Sequence, residues 1–295
     1  MMKKYLILLL MIPLALFSQE VPDSLKIWNV GGLVSLNFSQ VSLTNWAAGG
    51  RSSAAGVGIL NVFANYKKDN HLWETSLDMG YGLIKEEGAD AVKSDDRFIF
   101  NSKFGIRQTE KLYYSALLNF RTQFAPGYNF PNTTDVISRL LAPGYLTLSI
   151  GADYKPNEMW SFFVSPLTGK MTIVSDDDLS AIGAFGVDPG EKIRMEVGSF
   201  VKIDFKTEIM KNVTLNSKLD LFSSYTNNPQ NIDVNWDVFI NMKINDFLSA
   251  NLVTNLIYDD DILIPIDEND DGIAEGMGRR VQFKEMFGIG LNYKF

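Results

Sequence analysis

Apolar and polar residues alternate with a period of two along most of this chain, which restricts it to folds built from one-sided strands. From Asp233 the run DVNWDVFINMKI sets Val234, Trp236, Val238, Ile240, Met242 and Ile244 on one face. Asn235, Asp237, Phe239, Asn241 and Lys243 fall on the other. Successive side chains of a strand point to opposite faces, so each such run has one apolar and one largely polar side. Tyr114, Ala116, Leu118, Phe120 and Phe124 alternate in the same way with Ser115, Asn119, Arg121 and Gln123. So do Met195, Val197, Val201, Ile203 and Phe205 with Arg194, Glu196, Lys202, Asp204 and Lys206.

Twelve strands are expected, near 28–39, 55–66, 72–85, 97–107, 112–124, 144–155, 159–168, 193–206, 213–226, 233–244, 247–258 and 281–295. Several exceed the length usual in soluble sheets, and ten or so tilted residues suffice to cross a bilayer. Short connections, such as 67–71, 108–111 and 155–158, alternate with longer ones at 40–54, 86–96, 125–143, 169–192 and 259–280. Short turns at one end and long loops at the other are the plan of an outer-membrane barrel. The expected fold is therefore all-β: an antiparallel transmembrane barrel of about twelve strands, with periplasmic turns and extracellular loops. Tyr66, Trp73, Tyr154 and Trp160 flank short turns, while Tyr81, Tyr225, Trp236 and Tyr258 fall near the opposite rim, as two interfacial girdles require. A large soluble β-sandwich or lipocalin-like barrel is the competing reading, and it has to account for long strands, unequal loops and aromatic placement together.

The first residues read as an export signal. Lys3 and Lys4 precede an apolar stretch at 5–17, and Ser18 suits the position before a cleavage site. We divide the chain into a signal peptide at 1–18, a periplasmic segment at 19–27 and a barrel at 28–295. The sequence has 0 Cys, which excludes a lipoprotein anchor, disulfides and thiolate chemistry. With 27 Lys+Arg against 35 Asp+Glu, it lacks the basic balance of a nucleic-acid-binding protein. Phe287, Ile289, Leu291, Tyr293 and Phe295 alternate to the final residue, a closing strand of the kind handed to the barrel assembly machinery.

Two segments carry a family resemblance. The stretch SQVSLTNWAAGG at 39–50 follows the first strand, and RVQFKEMFGIGLNYKF occupies 280–295. Together they resemble an uncharacterised Bacteroidota outer-membrane barrel family, the domain of unknown function 3078. The resemblance implies an outer-membrane barrel and no activity. Within the motif loop of Asn45, Trp46, Gly49 and Gly50, the tryptophan reads as a loop anchor and the glycines as permitting a tight turn. A packed lid at the barrel mouth and a binding loop both fit.

No catalytic constellation stands out, and an enzyme is not expected. The single histidine, His71, falls in a short turn, away from any outer-face site. Asp267, Asn269 and Asp271 offer oxygens at alternate positions before Gly272, as in the first half of a calcium loop. Ile273 would add a carbonyl and Glu275 a ninth-position ligand, but Gly278 stands where the bidentate glutamate belongs. Bound Ca2+ and an acidic solvated loop both remain open for this segment. The runs at 176–178 and 259–261 could bridge cations to lipopolysaccharide phosphates, or simply be solvated.

The inward faces carry both signs. The expected lumen-lining anions are Glu74, Asp78, Asp153, Glu196, Asp204, Asp220 and Asp237; the cations are Lys103, Arg107, Arg121, Arg194, Lys202, Lys218 and Lys284. Eight strands fill a lumen with side chains and sixteen leave a channel, so twelve stands between. Two functions follow: a narrow pore for small solutes, or a closed structural barrel whose loops bind another outer-membrane or surface protein. Phe130, Phe185 and Ile264 are the apolar loop residues that motivate the second.

Overall fold

A computed structural model describes residues 27–43, 51–128, 132–266 and 276–295. In chain order the strands are β1 (Trp28–Val41), β2 (Ser53–Lys68), β3 (His71–Glu86), β4 (Val92–Arg107) and β5 (Leu112–Thr122). A loop hairpin of β6 (Gly127–Tyr128) and β7 (Val136–Ser138) precedes β8 (Gly144–Tyr154) and β9 (Trp160–Ile173). After helix α1 (Asp177–Ala181) come β10 (Ile193–Met210), β11 (Val213–Ser224), β12 (Asp233–Lys243) and β13 (Leu248–Tyr258). A second loop hairpin, β14 (Ile264–Ile266) with β15 (Gly276–Gly278), leads to the last strand, β16 (Gln282–Lys294).

Twelve of these strands close a single antiparallel barrel in the order β1-β16-β13-β12-β11-β10-β9-β8-β5-β4-β3-β2. Every expected strand is present, with its ends moved by a few residues. The largest changes are in β4, which starts at Val92, and β9, which runs on to Ile173. In β9 a bulge interrupts the alternation: Ile150 opposes Leu167 while Ala152 opposes Val164. Pro166 lies in the bulge, where its missing N–H costs no ladder bond. The two loop hairpins and α1 carry no period-two signal long enough to be read as strands or helix in advance.

The register assigns every strand residue to a face. Outward positions include Phe38, Ile150, Leu167, Met195 and Phe287, which are 59–72% exposed. Charged outward residues, among them Lys68, Lys85, Asp96 and Glu285, keep close to strand ends. The barrel thus wears a continuous apolar belt, far beyond the few hundred Å² that a soluble monomer exposes in one patch. Barrel strands of 11 to 18 residues are long enough to carry that belt across a bilayer.

Aromatic side chains collect where the belt ends. At the turn end Trp28 lies 5.1 Å from Tyr66 and 6.3 Å from Trp73, ring centre to ring centre. Trp160 stacks on Phe205 at 4.2 Å and on Phe162 at 5.3 Å at the same end. Closure brings β1 onto β16, where Gly32 N–H donates to the Phe295 carbonyl at 2.9 Å and Phe295 N–H donates back at 3.1 Å. Closing every ladder is how a sheet avoids exposing unpaired backbone to lipid.

Candidate functional site

The lumen is crossed by side chains rather than left open. Toward the turn end, Lys103 on β4 places its Nζ 2.7 Å from Asp153 on β8 and 3.5 Å from Glu74 on β3. Lys155 reaches Glu74 at 2.5 Å, and Ser161 donates to Asp153 at 2.6 Å. Asp153 is 1% exposed, so its pair with Lys103 is packed away from water, while Glu74 stays partly accessible.

Further along, Asp220 on β11 holds two cations, Lys202 at 2.8 Å and Arg121 at 2.6 Å. Arg121 belongs to β5, four strands away around the ring. Lys218 also projects from β11 and meets Asp78 on β3 at 3.2 Å, six strands away in either direction. Asn61 shares Asp78 through a hydrogen bond. Ion pairs that join opposite walls must pass through the middle of the lumen. Beside them, Leu117, Phe163, Phe200 and Phe222 form a buried apolar cluster, with Phe163 at 0% exposure. Burying such a side chain contributes roughly 1.5–3 kcal/mol.

At the loop end, Lys170 on β9 reaches Asp233 at 2.6 Å and Asp259 at 3.4 Å. Arg194 pairs with Glu196 at 2.9 Å and Asp261 at 2.6 Å. Lys284 on β16 meets Asp95 on β4 at 2.6 Å, and Arg97 lies 3.2 Å from the same carboxylate. Charges of opposite sign thus bind one another at three levels.

Of the anticipated lumen residues, Glu74, Asp78, Lys103, Arg121, Asp153, Arg194, Glu196, Lys202, Lys218, Asp220 and Lys284 enter these networks. Asp204 sits 3.7 Å from Lys202, and Asp237 lies 3.8 Å from Arg121 while accepting from Asn255 at 2.5 Å. Arg107 shares the inward face by register, opposite the buried Tyr113, and ends β4 at the turn rim, exposed, with its guanidinium 3.2 Å from the Asn70 side-chain oxygen. Asp95, Arg97, Lys155, Lys170, Asp233, Asp259 and Asp261 were missed. The β9 bulge hid Lys170, and the others sit at strand ends that look like loop or turn in the sequence.

The acidic runs are also corrected, because most of their carboxylates are engaged within the chain. Asp259 and Asp261 turn inward as described, and Asp260 pairs with Arg279 at 3.1 Å. Asp176 caps α1 by accepting from the Leu179 N–H at 3.0 Å and pairs with Arg139 at 2.9 Å. Asp177 is exposed, and its hydrogen bond from Lys192 at 2.6 Å holds its carboxyl below the usual range. The helix closes a small pad at the loop end, where Ala142, Val174, Leu179 and Val187 are buried.

The apolar loop residues need the same revision. Phe185 packs against that pad instead of standing free, and Ile264 is half-buried in the β14–β15 hairpin. Phe130 lies outside the described residues, as do the signal segment, the motif loop of Asn45, Trp46, Gly49 and Gly50, and the 267–275 segment weighed for calcium. His71 opens β3 at the turn end, exposed and stacked on Phe104 at 5.8 Å. Among the described residues no three or more His, Asp or Glu side chains converge as a metal site.

Comparison with solved structures finds barrels. An outer membrane channel from Pseudomonas putida F1 is 15% identical with a TM-score of 0.40, over 94% of this chain and 98% of the other. The translocator domain of the autotransporter NalP from Neisseria meningitidis is 7% identical at a TM-score of 0.39, over 90% and 88%. OmpT, an outer membrane protein of Vibrio cholerae, is 10% identical at 0.30, over 91% and 97%. No curated protein sequence matches the chain. A family described as "Protein of unknown function (DUF3078)" matches residues 38–128, a stretch that takes in the motif at 45–50 and ends before the carboxy-terminal strand. Over that stretch the chain resembles this family, and the resemblance carries no activity with it.

Proposed function

We propose that this chain is an outer-membrane, transport-type barrel for small solutes whose axial path rests closed. The apolar belt and the two aromatic rims support the membrane location. The observation that carries the axial reading is the pair of bridges from β11, Lys218 to Asp78 on the opposite wall and Asp220 to Arg121 four strands away, which cross the lumen. An open porin of this strand number would keep its charges on the wall. Here they meet in the middle, so passage requires an ion pair to break. Lys218 and Asp78 are the more accessible members, at 38% and 22% side-chain exposure, which suits a gate better than the dry Lys103–Asp153 pair.

Single-channel recording of the refolded barrel in a planar bilayer tests this. Wild-type protein is expected to rest closed with brief openings, and Lys218→Ala together with Arg121→Ala to give persistent steps. A wide, constantly open wild-type channel would overturn the axial closure. Silence in wild type and variants alike, with the barrel correctly folded, would replace the transport reading by that of a closed structural barrel. The ordered pad around α1, with Ile182 75% exposed beside it, is the surface such a barrel would offer to a neighbouring protein.

A further inference from the structure

Among the described residues, the wall of the barrel is not sealed along its whole height. Toward the loop end, the pairing of β1 with β16 runs no further than Phe38 opposite Ile289. Beyond that point β1 stays on β2 up to Val41 opposite Ser53. On the other side β16 stays on β13 up to Gln282 opposite Ile257. The loop-end parts of β1 and β16 therefore diverge, and a cavity of about 260 Å³ lies between them.

Its lining shows that it passes through the wall. On β1 it touches Asn37, Phe38 and Ser39; on β16 it touches Glu285, Met286, Phe287 and Gly288. Consecutive strand residues point to opposite faces, so a space bordered by unbroken runs on both strands opens to both faces. Phe38 and Phe287 form the outer lips, 62% and 61% exposed. The inner lining is Val57, Ile59, Ile84, Val253 and Met286, joined by Ser94 and by Asn37 and Asn251, which hydrogen-bond to each other at 2.8 Å. Glu285 points outward at the mouth, the fourth residue of β16, which sets the opening close to the headgroup level.

We infer that this slot binds small, uncharged, apolar molecules and passes them sideways between the lumen and the outer leaflet. The inference rests on the outer-membrane, transport-type reading above. Unpaired backbone edges facing lipid are costly, so a split in an otherwise closed ladder is where a built-in function is to be sought. Most of the lining surface is apolar and its one charged side chain, Glu285, sits at the outer mouth, so the body of the slot holds no counter-charge for an ion. A dry cavity of about 150 Å³ accepts benzene, so the slot has room for one or two rings or a short alkyl chain.

The test uses cells with intact lipopolysaccharide and the uncharged dye 1-N-phenylnaphthylamine, whose fluorescence rises in apolar surroundings. Cells making the barrel are expected to take up the dye several-fold faster than cells carrying the empty vector. Because the chain has no cysteine, Ser39→Cys with Gly288→Cys, opposite one another if the ladder is extended by one step, makes an isolated lock. Under oxidation the rate should fall to the vector level and return with reductant. Ser35→Cys with Asn292→Cys, at a position already paired, should leave uptake unchanged.

Val57→Trp closes the slot without a disulfide and should lower uptake as well. Wild-type cells no faster than vector would overturn the inference. So would an oxidised, correctly folded lock that takes up dye at the wild-type rate. Bilayer conductance of the same variants separates the two readings: dye uptake lost with channel steps unchanged places the path in the wall, and absent steps with dye uptake intact removes the axial path alone.

Discussion

Asp220 holds two cations inside the lumen, and its loss has a calculable effect. It accepts from Lys202 at 2.8 Å and Arg121 at 2.6 Å, with both cations under one-fifth exposed. In Asp220→Leu the nearest remaining carboxylates are Asp204, 3.7 Å from Lys202, and Asp237, 3.8 Å from Arg121. Each cation loses a charge-assisted hydrogen bond worth about 1.5–3 kcal/mol, while the residual attractions return part of it. A net cost of about 3–5 kcal/mol is expected, the range found when one partner of a buried pair is removed. Adding Lys202→Met should recover much of this, because removing both partners avoids an orphaned charge. The apolar replacements would also lie next to Phe200 and Phe222 of the buried cluster. Urea unfolding of the vesicle-inserted barrel, followed by tryptophan emission, measures all three proteins. An Asp220→Leu midpoint within about 0.5 kcal/mol of wild type, the usual range for surface changes, would show that the lumen is wet and its ion pairs screened. A double variant no better than the single would refute the orphan-charge account.

Other substitutions test the wall and the rim. A side chain at Gly151 would run into the Val164 carbonyl and come within 2.8 Å of Ser165 Cα at the β9 bulge. Gly151→Val should therefore cost at least about 3 kcal/mol, the upper end for overpacking, and abolish the compact form on an unheated gel. Gly169→Ala has nothing within 4 Å and should migrate like wild type. Asp176→Ala removes the α1 cap and should cost about 1 kcal/mol in urea, with faster proteolysis of the pad. The neighbouring Asp177 is lowered in pKa by Lys192, so its contribution is present above the unfolded carboxyl value and fades as pH falls through the folded one. Being fully exposed, it is screened by salt, and Asp177→Asn should leave the pH 7 unfolding midpoint unchanged.

The period-two pattern alone marked twelve one-sided strands, and their length and unequal loops pointed to an outer-membrane barrel. Which residues face the lumen was also legible, because parity within a strand needs only local geometry. Lys103, Arg121 and Asp220 were recognisable as lumen charges for that reason. What was not legible is which charge meets which, since Lys218 and Asp78 are 140 residues apart in sequence and joined only by the curvature of the closed sheet. The bulge at Pro166 resets parity in β9 and brings Lys170 inward, an event that alternation cannot announce. The acidic run at 259–261 looked solvated because loop composition says nothing of Lys170 and Arg194 waiting across the mouth. The slot is likewise a property of the closed ring. It exists where β1 keeps to β2 and β16 to β13, and the point of separation is decided when the first and last strands meet. Sequence alternation is a local signal; partner choice and closure belong to the whole sheet.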